Sequence, residues 1–215
     1  MFYNLTLPTL ITRIITLLLA FTFHEFAHAA VATALGDSTP KMHGRLTLNP
    51  IAHLDLMGTM TLILLGFGWA KPVPVNPYAV RRKTKAGMML VSLAGPATNL
   101  LLAVIAAMPL RFGWVALRPS TNTFLPSMGS FLFEFLTINL ALFFFNLIPL
   151  APLDGEKVLT FFLPDHWVDA FDRIRPYSPF ILLAIVFILP MLGINILEVI
   201  VWRPLQGLAS FLIGR

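Results

Sequence analysis

Long apolar runs separated by short polar stretches dominate this chain and indicate a membrane protein. Three runs, at residues 10–35, 87–110 and 128–150, are at least as long as the ~20 residues that a helix needs to cross a bilayer. Two further apolar runs lie at residues 180–192 and 195–213. The last is interrupted by two charges and a proline, so it either spans the membrane or lies at its interface. We therefore predict a membrane all-α protein, a polytopic helical bundle of about four to six transmembrane segments.

The apolar run at residues 56–70 has a different character. It is too short to span and contains three glycines, which favours a re-entrant or interfacial element. Before it, residues 45–48 alternate polar with apolar side chains, as a strand does. After it, residues 71–77 carry prolines two or three positions apart, which exclude a helix and a central strand but permit an edge strand. We therefore predict a small re-entrant β-hairpin insertion between the first and third apolar runs.

The composition agrees with a membrane protein. Hydrophobic residues make up 57% of the chain and charged residues 12%, whereas soluble domains carry about 25% charged residues. The chain has no cysteine, which excludes disulfides and thiolate metal sites. We expect one integral-membrane domain over residues 1–215, with its core at about 10–160 and C-terminal helices at about 161–215, and no cleavable signal peptide.

The distribution of basic residues predicts the orientation. They are concentrated between the first and third apolar runs, at Lys41, Arg45, Lys71, Arg81, Arg82, Lys83 and Lys85. Because loops rich in Lys and Arg stay in the cytoplasm, we expect this whole region to be cytoplasmic and the N-terminus to lie outside. The run at residues 56–70 would then enter and leave on one side. Arg111 and Arg118 fall on the outer side and count mildly against this orientation.

A metal-binding motif lies inside the first apolar run. His24-Glu25-Phe26-Ala27-His28 contains the only ionisable side chains between residues 14 and 35. Ionisable groups in the bilayer interior cost a few kcal/mol on insertion scales, so their presence indicates a function. His24 and His28 lie at i and i+4 on one helix face, where both imidazoles can bind one Zn²⁺ while Glu25 handles a proton. This is the HExxH pattern of zinc metallopeptidases.

Catalytic zinc usually has three protein ligands, so the motif requires a third. No histidine follows closely after His28, and His43 and His53 lie in the loop beyond the first run. Asp154 is the first acid after the run at residues 128–150; it follows two prolines that break a helix and precedes a glycine that allows a turn. From the residues alone, Asp154 is either the third ligand or the cap of a helix that starts near Glu156.

Three motifs, in this order, resemble the site-2 protease family of intramembrane zinc metalloproteases. They are HEFAH at residues 24–28, AGPATN at residues 94–99 and NLIPLAPLDG at residues 146–155. The insertion, with GRLTLNP at residues 44–50 and GWAKPVPVNP at residues 68–77, resembles the small prokaryotic branch. The match covers about residues 14–160, and we expect no PDZ or CBS domain, which many members carry.

The resemblance implies one zinc ion held by His24, His28 and Asp154, with Glu25 as the catalytic base. It implies an enzyme of the prokaryotic cell (inner) membrane that hydrolyses peptide bonds in or near transmembrane segments, with its active site towards the cytoplasmic side. The expected partners are transmembrane protein or peptide substrates and the lipid bilayer, and not nucleic acid. The substrate, the scissile bond and the oligomeric state do not follow from the sequence.

Four further residues are candidates for substrate binding. Asn146 either hydrogen-bonds the substrate carbonyl or its oxyanion, or joins helices. Val73 and Val75 belong to the predicted edge strand, which would hold an unwound substrate by main-chain pairing; the alternative is a rigid connector. His53 either lines the site or stabilises the hairpin. Asn99 is expected mainly to serve close helix packing.

Two other functions use the same residues. A membrane zinc-binding or transport protein would move Zn²⁺ with these histidines, but it needs several polar groups along a path, whereas the chain offers one site. An inactive, protease-like binding partner would normally lack Glu25 or a ligand, and here all are present. The sequence therefore favours a zinc metalloendopeptidase.

Overall fold

The computed structural model describes residues 6–55, 57, 58, 60, 61, 68–118 and 124–215. Within these ranges the chain is helical apart from its connecting segments. The helices are α1 (Leu7–Ala34), α2 (Thr39–Met42), α3 (Pro50–His53), α4 (Pro77–Lys83), α5 (Gly87–Arg111), α6 (Met128–Asn146), α7 (Asp154–Phe162), α8 (Asp165–Ile174), α9 (Ser178–Leu183), α10 (Leu189–Met191) and α11 (Arg203–Ile213), with a 3₁₀ turn at Arg175–Tyr177 and π-helical turns at Ala184–Ile188 and Glu198–Trp202.

Four helical stretches are long and apolar enough to cross a membrane. They are α1, α5, α6 and the continuous stretch Asp165–Met191, which contains α8 to α10. The first three match the apolar runs that the sequence contains, and the fourth extends the run at residues 180–192 towards the N-terminus. The prediction of a membrane protein built from helices is therefore confirmed, whereas α11, in the run at residues 195–213, is not among the four.

Helix α5 is the centre of the bundle, because it contacts α1, α4, α6, α7 and α11. Small side chains on α5 allow these close approaches: Ala103, Ala106 and Ala107 are buried against Leu136 and Leu140 of α6. Two prolines lie inside α5, in a helix whose neighbours enclose it. The core at this end of the bundle is thus made of small residues on one helix and leucines on the next.

The C-terminal end of α1 and the N-terminal end of α5 lie together. Ala32 near the end of α1, Val80 of α4 and Val91 near the start of α5 form one buried cluster. The intervening residues 35–86 therefore return to the end of the bundle at which α1 stopped. Because α1 and α5 run in opposite directions, a chain that crossed the membrane once between them would have to cross back to the same side.

The two strands predicted in the insertion are wrong. Residues 46 and 47 form bends, residues 71–76 run as an extended segment without a partner strand, and no residue in the described ranges belongs to a strand. Both Asn-Pro pairs start a helix instead: Asn49 caps α3 and Asn76 caps α4, each accepting a bond from a backbone N–H two residues on. The residue types at these positions are those of a helix N-cap followed by proline at the first helical position.

Side chains hold the insertion together in place of a strand ladder. The guanidinium of Arg45 is buried and donates to the carbonyl oxygens of Ala52 and Lys71. A single antiparallel bridge joins Leu54 to Ala70, and the Lys71 N–H donates to the His53 carbonyl (2.8 Å). The two ends of the segment at residues 56–70 therefore lie side by side. Of that predicted re-entrant element, residues 56, 59 and 62–67 lie outside the described residues.

Candidate metal centre

Helix α1 carries the three residues of the motif on its buried face. His24, Glu25 and His28 are 5%, 9% and 7% exposed, and one ligand atom from each lies within 4.8 Å of the others. The two imidazole rings pack edge to face with their centroids 4.6 Å apart, as the i, i+4 spacing predicts. At 1.5 Å per residue, His24 lies about 26 Å from the start of α1 and about 15 Å from its end. The cluster is therefore deep in the bundle.

Asp154 reaches both histidines. Its Oδ2 atom lies 3.2 Å from Nε2 of His24 and 3.3 Å from Nε2 of His28. Helix α6 ends at Asn146 and a turn follows; Leu153 is the N-cap of α7, so Asp154 lies in the first helical turn. Its carboxylate thus points to the histidines. Asp154 is therefore not the N-cap of this helix, which was the alternative that the sequence left open.

Two glycines make this arrangement possible. A Cβ atom on Gly95 of α5 would lie 2.5 Å from Nε2 of both His24 and His28, so only hydrogen fits beside the two ring nitrogens. A Cβ atom on Gly155 would lie 2.2 Å from the Leu147 carbonyl oxygen, so glycine lets the start of α7 pack against the turn after α6. The first glycine shapes the site, and the second brings Asp154 to it.

Both histidines present the same ring nitrogen to Asp154. His24 donates through Nδ1 to Oδ1 of Asn99 (2.6 Å), and His28 donates through Nδ1 to the Val91 carbonyl oxygen (2.6 Å). Nε2 of each ring is then directed at the carboxylate. Two imidazole nitrogens and one carboxylate oxygen, with the histidines oriented by bonds from their other nitrogen, match the kind of donor set that catalytic zinc sites use. The residues present therefore fit a bound metal ion.

Glu25 lies beside the two histidines and is held by the insertion. Its Oε2 atom accepts a hydrogen bond from the backbone N–H of Val73 (3.2 Å). Arg45 is close enough to interact with the same carboxylate: burial lowers the pKa of Arg45, and the charge of Glu25 offsets part of that effect. Glu25 thus anchors the extended segment at residues 71–76 by accepting the Val73 N–H.

The segment at residues 71–76 uses most of its N–H groups within the protein. Lys71 donates to His53, Val73 to Glu25, and Asn76 to Oδ2 of Asp37 (2.7 Å), whereas its two prolines have no N–H. Burial raises the pKa of Asp37, but hydrogen bonds with Thr39 and Asn76 outweigh this and hold the pKa below its ordinary value. The side chain of Val75 packs against the cluster of Ala32, Val80 and Val91.

The other predicted site residues lie in different surroundings. His53 is 1% exposed and its Nε2 atom donates to the Thr47 carbonyl oxygen (2.8 Å), so its side chain holds the loop at residues 45–48. Asn146 donates to the Leu142 carbonyl oxygen of its own helix (3.0 Å). His43 is exposed on the loop after α2, unlike the buried motif.

The prediction that Asn99 serves mainly packing is wrong, because its amide is the hydrogen-bond partner of His24. Its own partner, Asn139 of α6, was not identified from the sequence; the Asn99 amide donates to Oδ1 of Asn139 (3.0 Å). Both asparagines are fully buried. A polar residue in an otherwise apolar span is the sequence feature that could have revealed them.

Comparison with known proteins finds relatives of one kind. The chain is 41% identical over 178 residues to "Putative zinc metalloprotease YwhC" of Bacillus subtilis (strain 168), an alignment that covers 83% of this chain and 80% of the relative. It is 29% identical over 206 residues to "Putative zinc metalloprotease Rip2" of Mycolicibacterium smegmatis, with 92% and 74% covered. The Mycobacterium tuberculosis (strain H37Rv) protein of the same name is 30% identical over 189 residues, with 86% and 70% covered. No family model and no solved structure matches the chain.

Proposed function

Since the chain belongs to the site-2 protease family of zinc metalloproteases, we propose that it hydrolyses peptide bonds in or near the transmembrane segments of membrane proteins. One observation carries this proposal. Two imidazole nitrogens, one carboxylate oxygen and a second, separate carboxylate converge on the buried face of a membrane-length helix. Buried ionisable groups in a span are costly unless a cation compensates them, so the cluster is best explained as a catalytic metal centre.

The zinc ion would be held by His24, His28 and Asp154. When bound, Zn²⁺ supplies a Lewis acid that polarises a carbonyl group and lowers the pKa of water towards about 7. The three residues contribute a fixed cage: Asn99 and the Val91 carbonyl orient the two rings, and the turn after α6 delivers Asp154. Gly95 leaves the space in which the ligand atoms meet.

Glu25 would serve as the general base. Its carboxylate lies in the same cluster as the two imidazoles but is not needed to complete a set of three ligands. It can therefore accept a proton from the attacking water and pass it to the leaving nitrogen. The Val73 N–H donates to Oε2 of Glu25 and so holds this carboxyl group in place for both proton transfers.

The substrate would lie as an extended chain between the metal centre and residues 71–76, near Val73 and Val75. Because three N–H groups of this segment are already bonded and its prolines have none, the substrate main chain must act largely as the donor. Asn146 uses one of the two hydrogens of its amide for Leu142, so the second is free to bond a substrate carbonyl oxygen. His53 supports this surface by holding the loop at residues 45–48.

We propose that the metal centre faces the cytoplasmic side of the bacterial cell membrane. The described part of residues 35–86 lies at one end of the bundle and carries seven of the fifteen Lys and Arg residues, which supports a cytoplasmic location. The bridge between Leu54 and Ala70 brings together the two residues that flank positions 55–69. We further propose that residues 1–215 act as one membrane domain.

Zinc content tests the ligand set. Purified wild type should hold about one equivalent of zinc, and Asp154→Ala should lose it, because two histidines make a poor cage. The matched variant His43→Ala removes an exposed histidine of the loop and should keep the metal. An Asp154→Ala protein with full zinc, or a His43→Ala or His53→Ala protein without it, would exclude this assignment.

Cleavage of membrane peptides tests the activity. Glu25→Gln is nearly isosteric and should keep one equivalent of zinc, but turnover should fall below about 1% of wild type because the amide cannot accept the proton. Mass spectrometry of membrane peptides that accumulate in cells with Glu25→Gln would identify the substrate class. Substantial cleavage by a pure Glu25→Gln preparation with wild-type zinc would show that Glu25 is not the base.

A further inference from the structure

Two buried asparagines connect the metal centre to helices that carry no ligand. Asn99 of α5 and Asn139 of α6 are both 0% exposed. His24 of α1 bonds Oδ1 of Asn99 (2.6 Å), and Nδ2 of Asn99 bonds Oδ1 of Asn139 (3.0 Å). A continuous line of hydrogen bonds thus crosses three membrane-length helices.

Backbone carbonyl groups determine which atom donates and which accepts in each hydrogen bond of this line. Nδ2 of Asn139 donates to the Phe135 carbonyl oxygen (2.9 Å), and Nδ2 of Asn99 also faces the Ala20 carbonyl oxygen (3.4 Å). A carbonyl oxygen can only accept, so both amide groups must present their NH₂ to the backbone. The oxygen of Asn139 is then turned to Asn99, and the oxygen of Asn99 is turned to the imidazole.

The consequence reaches the ring of His24. Because Oδ1 of Asn99 can only accept, Nδ1 of His24 must carry the proton, and Nε2 is directed at Asp154. His28 reaches the same state through a different partner, the backbone carbonyl of Val91. One ligand is therefore oriented by the main chain, whereas the other depends on two side chains.

Packing alone does not account for these residues. A leucine side chain has the same number and branching of heavy atoms as asparagine and would fill an apolar helix contact without any polar atom to satisfy. A buried amide costs free energy unless its groups are paired, and here the line supplies a partner for both amide groups of each asparagine. The oxygen of Asn99 has a donor in this line only because His24 ends it.

We propose that Asn99 and Asn139 are positioning residues that fix the orientation of His24 for metal binding. This inference rests on the proposed zinc centre. Asn99 acts directly on the ring, and Asn139 acts through Asn99 by preventing rotation of its amide. Groups of this kind change metal affinity by about 10- to 100-fold when they are removed.

The test is a zinc titration of the full chain in detergent micelles against a chelating indicator. Asn99→Leu should weaken zinc binding about 10- to 100-fold, and Asn139→Leu should weaken it by less, about 3- to 10-fold. Asn99→Asp keeps an oxygen acceptor for Nδ1 of His24 and should restore affinity to within about threefold of wild type. A residue that only filled space would not be rescued by a buried carboxylate.

Two matched variants control for changes within the same helices. Thr98→Val in α5 removes a hydroxyl that bonds only its own helix at Ala94, and Thr137→Val in α6 removes one that bonds Phe133. Both should bind zinc as wild type does. Loss of affinity in these controls equal to that in the asparagine variants would overturn the proposal, because any polar deletion would then suffice.

Nuclear magnetic resonance of the zinc-loaded protein supplies a readout that does not depend on activity. The Nδ1 proton of His24 should resonate downfield in wild type and move upfield in Asn99→Leu and, by less, in Asn139→Leu. The Nδ1 proton of His28 should not move, because Val91 holds it. If Asn99→Leu does not fold, the wild type and Asn139→Leu still carry the test. A His24 Nδ1 proton that exchanges rapidly in the wild type would contradict the proposal.

The outcomes separate the two proposals. A wild-type protein that binds no zinc would refute the metal centre itself. A wild-type protein that binds zinc, with all asparagine variants within about twofold of it, would leave the centre in place and overturn only the positioning role.

Discussion

Gly95 sets the closest approach between α1 and α5 at the metal centre. A side chain at this position would overlap Nε2 of both His24 and His28 at 2.5 Å. The two atoms belong to rings already fixed at Nδ1 by Asn99 and Val91, so neither ring can rotate away without losing a buried hydrogen bond. The absence of a Cβ atom here is therefore a requirement of the metal centre.

Gly95→Ala should strongly weaken metal binding while the helices still form. Because the added methyl group displaces two ligand atoms at once, zinc affinity should fall by about 100-fold or more. Gly207→Ala is the matched control, since a Cβ atom there meets nothing within 4 Å. Zinc titration and circular dichroism of both variants check the prediction. Zinc affinity in Gly95→Ala equal to that of Gly207→Ala would contradict the site geometry.

At the scale of elements, the extended segment at residues 71–76 is attached to α1 at two points. Val73 donates to Glu25, and Asn76 donates to Asp37, which follows the end of the helix. Asp37 is 1% exposed and also accepts a bond from the Thr39 N–H (2.9 Å). One carboxylate therefore joins the end of α1, the start of α2 and the segment that contacts Glu25.

Asp37→Asn should destabilise the insertion by about 1–3 kcal/mol, because one backbone N–H would then face an amide NH₂ group. The folded-state pKa of Asp37 lies below its ordinary value, so the contribution is complete above the unfolded pKa of about 3.9 and is lost as the pH falls through the folded pKa. Thermal unfolding of wild type and Asp37→Asn between pH 3 and 7 should show a difference that narrows only below about pH 4.

The control for this comparison is Asp169→Asn, which changes an exposed carboxylate on α8. It should unfold as wild type does across the same pH range. A gap between wild type and Asp37→Asn that is constant down to pH 3 would show that the stabilisation does not come from the ionised carboxylate.

At the scale of the molecule, the antiparallel arrangement of α1 and α5 and the positions of the basic residues predict which ends face the cytoplasm. Single cysteines can report this directly, because the natural chain has none. Cysteines at Ser38 and Lys85, which are exposed at one end of the bundle, should react with an impermeant reagent only from the inside. A cysteine at Trp114, whose side chain is 75% exposed beyond the end of α5, should react from the outside.

The pattern of labelling separates the topologies. Reaction of Ser38→Cys and Lys85→Cys from the outside, with Trp114→Cys from the inside, would invert the proposed orientation. Reaction of Ser38→Cys and Lys85→Cys from opposite sides would show that residues 56–70 cross the membrane once.

The features that the sequence determined are those encoded by neighbouring residues. The spans follow from the lengths of apolar runs, and the common face of His24, Glu25 and His28 follows from helix periodicity. The strand predictions were wrong because alternation over four residues is a weak indication when no partner strand exists. Asn49 and Asn76, each followed by proline, indicated helix starts at the same positions.

The tertiary structure alone decided how distant residues complete the centre. Asp154 reaches His24 across 130 positions, and Asn99 joins His24 to Asn139 across the bundle. No local pattern encodes these contacts, because they depend on how three helices pack and on where a turn directs one carboxylate. The sequence by itself thus determined a membrane-length helix with two histidines and a glutamate on one face. Only the packing of α5, α6 and α7 against that helix decided which atoms surround them.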